Sequence, residues 1–381
     1  MNETILNELF AYVVAIRRKL HEYPEVGFDL KRTATAVTDE LRKMGIQSTD
    51  RYGTCSVVAQ IGTCGKIVAV RADMDALPIE EKSDVPFQSK IKGHMHACGH
   101  DSHTAIVLAA AKYLKEHENE LPCRVRFIFQ PSEESAVSGA EMMVANGVTD
   151  GVDHIICTHC DNEIPTGYIG VCSGDYMAAC IPATITFRGK ASHATLPQYG
   201  ADAISMAVEA YIKMKDAVKK EAGHIKYIWS VGKFSGGQVH NVIADTCEMD
   251  ISFRFYDTDF AKRVEKRVKE ICQETAKKFG GEVTFDWKMS TGPVCNDRKI
   301  AQKFERVMRE SGLSVCKMPQ RMSSEDFGWY LTQKKGMIFR FGTRNEEKGC
   351  TAPAHRGDFK IDEDGMKAAI QAMIVYLCSC R

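Results

Sequence analysis

The sequence predicts an α/β protein whose mostly parallel sheet is interrupted by an inserted α+β domain. Three observations carry this. Up to about residue 160, short β-branched runs alternate with segments of helical periodicity. Between 182 and 292 the order becomes β-α-β-β-α-β, and after Pro293 the first pattern resumes. The 381 residues also exceed the roughly 100–200 usual for one domain.

The elements follow from residue type and spacing. Residues 5–20 and 33–44 repeat apolar side chains every three or four positions, as helices do. Runs at 54–61 and 66–71 read as strands, 102–116 as a helix, and 124–130 and 153–159 as further strands. Parallel strands need crossover helices, so this alternation implies a sheet covered on both faces. Ligands gather beyond the carboxyl ends of such strands. Next come strand 183–189, helix 200–220, strands 227–234 and 246–255, helix 258–279 and strand 282–288. That order is ferredoxin-like. Helix 299–311, strand 336–342 and helix 363–377 complete the first domain. The expected division is 1–181 with 293–381 as one discontinuous domain, and 182–292 inserted.

Composition narrows the function. Fifty Lys and Arg balance fifty Asp and Glu, which excludes the basic excess a nucleic-acid binder uses against phosphates. With 44% hydrophobic and 26% charged residues, the chain is not disordered. It has no run of roughly 18 apolar residues, so no membrane span is expected. The N-terminal segment places Glu3 and Glu8 before Arg17 and Arg18, opposite to a secretory signal, and the expected compartment is the cytoplasm. The fifteen cysteines are scattered singly through apolar runs and are expected to be reduced thiols.

The densest chemical signal is His94-Met95-His96-Ala97-Cys98-Gly99-His100-Asp101-Ser102-His103. Imidazole and thiolate suit borderline-soft divalent metals, and Gly99 lets the backbone turn so that Cys98 and His100 can face one point. The same residues also suit a polar loop capping the next helix. Upstream, Asp73 and Asp75 end an apolar strand, sharing a face by period-two geometry or simply forming a turn. Glu133 and Glu134 follow the strand 124–130. Adjacent buried carboxylates need a compensating charge. A metal would supply it, leaving one glutamate as ligand and its neighbour as proton carrier. An acid-decorated helix start is the plainer alternative. His159 and His355 also follow strands, and Cys157 with Cys160 forms a single CxxC. Together these positions match a two-metal hydrolytic site.

The motifs resemble the amidohydrolase branch of the aminoacylase-type dinuclear metallopeptidases, which includes hippurate hydrolase, auxin-conjugate hydrolases and N-acetyl-diaminopimelate deacetylase. The resemblance runs from Arg17-Arg18 and His21–Phe28 through RADMDALP, HACGHDSH, FQPSEES and GKASHATLP to Ser324-Glu325-Asp326-Phe327, FGT at 341–343 and GCTAPAH at 349–355. It departs at Ser135-Ala136-Val137, where glycines often follow the glutamates, and at Ala244, where proline is usual.

What the resemblance implies is specific. The fold would be a metallopeptidase domain with an inserted ferredoxin-like lid and dimerisation domain. Two divalent ions per subunit, zinc or manganese with cobalt or nickel also admitted, would be held by Cys98, His100, Glu134, His159 and His355. Cys98 would stand in for a bridging carboxylate. Glu133 would be the general base, and Asp75 would orient a histidine ligand. His193 would stabilise an oxyanion, often in a neighbouring subunit's site, while Asn241 and Arg254 would bind the substrate carboxylate.

The expected activity is hydrolysis of the amide bond of a small-molecule N-acyl-L-amino acid, and the resemblance implies a homodimer. A dipeptidase or carboxypeptidase on the same fold is the nearest alternative. Two others differ in class: a metal-binding protein without turnover, which has no need of an unligated Glu133, and a cysteine hydrolase using Cys98, which would survive metal removal.

Overall fold

The computed structural model describes residues 2–380, which form two compact units. The larger takes the chain through Tyr176, then Val294–Gln320, then everything from Asp326. The smaller takes Met177–Pro293 and Arg321–Glu325.

The larger unit is built on an 8-stranded sheet ordered Ser48–Thr49, Val57–Ile61, Arg124–Gln130, Ile67–Asp73, Val152–Pro165, Lys335–Arg344, Tyr168–Val171, Ser314–Lys317. Its central strands, from Arg124–Gln130 to Lys335–Arg344, run parallel. Ile67–Asp73 is buried at every residue, as expected of a strand covered on both faces. The flanks turn antiparallel, with Val57–Ile61 pairing Arg124–Gln130 and Tyr168–Val171 pairing Lys335–Arg344. The runs 54–61 and 66–71 are therefore neighbours in sequence only, because Arg124–Gln130 lies between them. The helix His100–Glu116 packs against Glu3–His21 and Gly365–Cys378. Its Ala109, Ala110 and Ala111 are fully buried, since small side chains let the neighbouring helices and sheet approach closely. Each large residue buried here, such as Leu108 or Phe127, contributes about 1.5–3 kcal/mol of transfer free energy.

The smaller unit has a 4-stranded antiparallel sheet ordered Glu282–Trp287, Ala179–Arg188, Thr246–Phe255, Tyr227–Gly236. Thr246–Phe255 alternates strictly: Cys247, Met249, Ile251, Phe253 and Phe255 are buried, with polar residues between them. The buried face packs with the helices Ala203–Ala222 and Thr258–Lys278. This is the strand arrangement that the β-α-β-β-α-β order implies. The boundaries differ from 182 and 292. The first strand already begins at Ala179, and Arg321–Glu325 joins this unit through a bridge from Met177 to Arg321 and the Ala178 N–H donating to Ser323 O at 3.0 Å. That segment is too short to show a period, so sequence reading passes over it. No helix among the described residues is long and apolar enough to cross a membrane.

Candidate active site

The site lies at the carboxyl ends of the central strands. Ile67–Asp73 delivers Asp73 as its last residue, and Asp75 sits beyond the strand, so the period-two pairing of the two carboxylates does not apply. Cys98 and His100 flank Gly99, whose φ of 81° is the left-handed geometry glycine adopts freely. A Cβ there would run into Cys160 Sγ. His100 opens its helix rather than preceding it. Glu133 and Glu134 follow Arg124–Gln130, whereas His159 lies inside the longer strand Val152–Pro165. His355 comes after Lys335–Arg344, its N–H donating to Ala97 O at 2.8 Å. Ser132 and His355 are two of the three non-glycine residues with left-handed φ among those described. Such strain concentrates where surrounding structure holds functional groups in place.

Of several donor groups here, one of them His100 with Glu133 and Glu134, two share one sulfur. Cys98, His100 and His159 offer ligand atoms within 4.8 Å of one another, and so do Cys98, Glu134 and His355. Cys98 Sγ is 3.3 Å from His159 Nε2. His159 Nδ1 donates to Cys160 O at 2.7 Å and His100 Nδ1 to Asp75 O at 2.8 Å, so in each ring Nε2 is left to face the cluster. Asp75 also accepts from the Glu134 N–H through Oδ2 at 3.0 Å. Glu133 Oε2 lies 3.9 Å from His100 Nε2.

His100 Nε2 and Glu134 Oε1 are buried without a hydrogen-bond partner, and His355 Nε2 approaches the latter to 3.0 Å. Buried polar atoms are rarely left so, and a cation satisfies both. Burial, then Glu134 and Glu133, push the Cys98 thiol well above its usual range. Burial alone would lower His100, but Asp73, Asp75 and Glu134 outweigh it and raise the imidazole to about 10. The neighbouring carboxylates act in the same direction on both groups, so the cluster carries negative charge. A thiol so placed ionises only beside a cation, which disfavours Cys98 as a free nucleophile. The mixed S, N and O donors fit borderline divalent ions.

His103, although part of the histidine-rich run, is fully engaged: Nδ1 donates to Asp73 Oδ1 at 2.6 Å and Nε2 accepts from the Cys160 N–H at 2.9 Å. Sequence reading noticed Asp73 without a role and missed Arg71 and Cys160 as its surroundings. The RADMD run carried the only signal, a charged residue inside an otherwise apolar strand.

The smaller unit holds the remaining candidates. The Ala194 N–H donates to Asn241 O at 3.0 Å and the Ile243 N–H to Ser192 O at 2.9 Å, so two loops bring His193 and Asn241 together. Both are exposed. Arg254 is elsewhere, its Nη1 donating to Met322 O and Ser324 Oγ, each at 3.0 Å. The loops of His193 and Asn241 adjoin the Thr246 end of the strand Thr246–Phe255 and Arg254 lies near its other end, roughly 27 Å away at the usual rise per residue.

The profile of Peptidase family M20/M25/M40 matches residues 69–378. The chain belongs to this family. As a member of Peptidase family M20/M25/M40 it is a metal-dependent amide hydrolase. It is 34% identical to an N-acetyl-L-cysteine deacetylase of Bacillus subtilis over 95% of this chain and 86% of that protein. It is 32% identical to thermostable carboxypeptidase 2 of Saccharolobus solfataricus over 95% and 93%. Its fold superposes on the YXEP protein of Bacillus subtilis, described as a dinuclear metal binding peptidase, with a TM-score of 0.85, 29% identity and 98% of both chains covered.

Proposed function

We propose that this family member cleaves the amide bond of an N-acyl-L-amino acid, releasing the amino acid and a carboxylic acid. The observation that carries the reading is the pair of donor groups sharing Cys98 Sγ, with Glu133 beside them and outside both. Cys98, His100 and His159 would hold one divalent ion, zinc or manganese, and Cys98, Glu134 and His355 a second. Ions held by these residues would supply Lewis-acid polarisation of the scissile carbonyl and a more acidic water. Glu133 accepts the water's proton and returns it to the leaving amine. Asp75 fixes the His100 ring through Nδ1. His193 Nδ1 accepts from the Thr195 N–H at 3.2 Å, which leaves Nε2 as the ring atom to donate to the developing oxyanion.

Asn241 and Arg254 recognise the substrate carboxylate. Their separation along one sheet favours a homodimer in which His193 and Asn241 serve the partner's site. The smaller unit carries an apolar stripe suited to such pairing: Ile204, Val208 and Ile212 are exposed four residues apart on one helix. All fifteen cysteines are free thiols, which favours a reducing compartment such as the cytoplasm. The relatedness to a carboxypeptidase supports a second reading, peptide cleavage at the same centre.

A screen of metal-reconstituted protein against acetyl-, benzoyl- and indole-acetyl-amino acids and dipeptides tests both. Preference for an acyl-amino acid supports the first reading, and preference for dipeptides replaces it with the second.

A further inference from the structure

The Ser324-Glu325-Asp326-Phe327 motif has no role in the mechanism above, yet its aspartate is heavily engaged beside Glu133. Asp326 is fully buried. Its Oδ1 accepts from Arg71 Nη2 at 2.7 Å and Gln130 Nε2 at 3.0 Å. Its Oδ2 accepts from Gln130 Nε2 at 2.8 Å, Ser138 Oγ at 2.7 Å and the Ala140 N–H at 3.2 Å. Gln130 ends the strand Arg124–Gln130, and Ser138 caps the helix Gly139–Ala145. Between them runs the loop 131–137 that carries Glu133 and Glu134. One carboxylate therefore clasps both ends of that loop. The Asp326 N–H also points at Glu133 Oε1, at 3.4 Å.

Within the loop, Ser132 Oγ donates to Val137 O at 2.7 Å. Ala136 and Val137 are exposed, and Ser132 holds a left-handed φ of 55°. Strained, exposed segments persist only when their surroundings over-determine them. Arg71 reinforces the clasp, donating from Nε to Gln130 Oε1 at 2.9 Å and from Nη1 to Asp73 Oδ2 at 2.5 Å. Charge-assisted bonds of this kind offset the cost of burying the carboxylate.

We propose that Asp326 is a positioning residue that clasps the 131–137 loop and holds Glu133 in place for proton transfer. This rests on Glu133 being the general base. The test compares wild type, Glu133→Gln, Asp326→Asn and the double variant, each metal-loaded, on the acyl-amino acid that wild type cleaves fastest. Asp326→Asn should lower kcat by about 10–100-fold, because small misplacements of a reacting group cost that much, with KM changed by less than about 3-fold. Metal content should match wild type, and hydrogen exchange should quicken only across 131–138. In the Glu133→Gln background the same change should cost less than about 2-fold, since the base it positions is already gone.

Wild-type kcat in folded Asp326→Asn overturns the proposal, and so does a full loss in the Glu133→Gln background or a matching loss of metal. Should Asp326→Asn fail to fold, Ser138→Ala carries the test. It removes one clasp and should lower kcat by about 3-fold or more with faster exchange in the same segment. A folded Ser138→Ala showing neither effect overturns the proposal. Near-wild-type activity in Glu133→Gln instead defeats the assignment of the base, while the exchange data still report whether Asp326 clasps the loop.

Discussion

Glu133 and its neighbour Glu134 are adjacent in sequence, yet only Glu134 groups with Cys98 and His355. If Glu133 is the base, Glu133→Gln keeps the shape of the site and loses the proton acceptor. Metal content should then be unchanged while turnover falls by about 100-fold or more, measured by metal analysis beside kcat. A shared thiolate makes a separate prediction. With metal bound, Cys98 should resist alkylation, and after chelation it should react, as peptide mass spectrometry would read directly. His154 offers a pH test away from the metal centre. Burial, then Lys303, hold its pKa down to about 4, and the ring accepts from Tyr376 OH at 3.0 Å. Unfolded, it would take up a proton near 6.5. The unfolded state therefore binds more protons between about 6.5 and 4, and stability falls as pH drops through that window, by at most about 3 kcal/mol. Urea unfolding of chelated wild type and His154→Gln should show a flatter pH dependence in the variant.

At the scale of elements, the helix Gly139–Ala145 starts where the glutamate loop returns. A Cβ on Gly139 would overlap the Pro131 carbonyl oxygen, and its N–H donates to Ser132 O at 2.9 Å. Alanine normally gains about 1 kcal/mol over glycine inside a helix. Here overpacking against backbone should cost about 1–3 kcal/mol and win. Gly139→Ala should lower the melting temperature and displace the loop, with kcat falling by about 10-fold or more. The elements themselves were readable because periodicity is local: Thr246–Phe255 alternates in burial as its sequence alternates in polarity. The helix Gly139–Ala145 escaped because seven residues span too few turns to show a stripe.

At the scale of the whole molecule, the assembly decides whether His193 acts across an interface. Glu133→Gln and His193→Ala subunits, each inactive alone, should regain part of the activity when mixed. In a mixed dimer with trans sites, one site has both residues intact. Stable mixed dimers without recovery would confine His193 to its own chain. If the exposed stripe of the helix Ala203–Ala222 pairs two copies, Ile212→Asp, which places a charge in it, should shift the protein to monomers in sedimentation and lower activity with it.

Sequence alone determined the α/β class and the ferredoxin-like insertion, and it named the candidate ligating residues. Each of these lives in short windows: a period of two or 3.6, or a cluster such as Cys98-Gly99-His100 that travels on a single turn. Only the tertiary structure decided how those residues combine. Strand order brought Cys98 into both donor groups, and set Arg254 near the opposite end of a strand from His193 and Asn241. Asp326 met Gln130 and Ser138 across sequence separations of 196 and 188 residues. Contacts that distant depend on which strands become neighbours in the sheet, and no short window of sequence contains both partners.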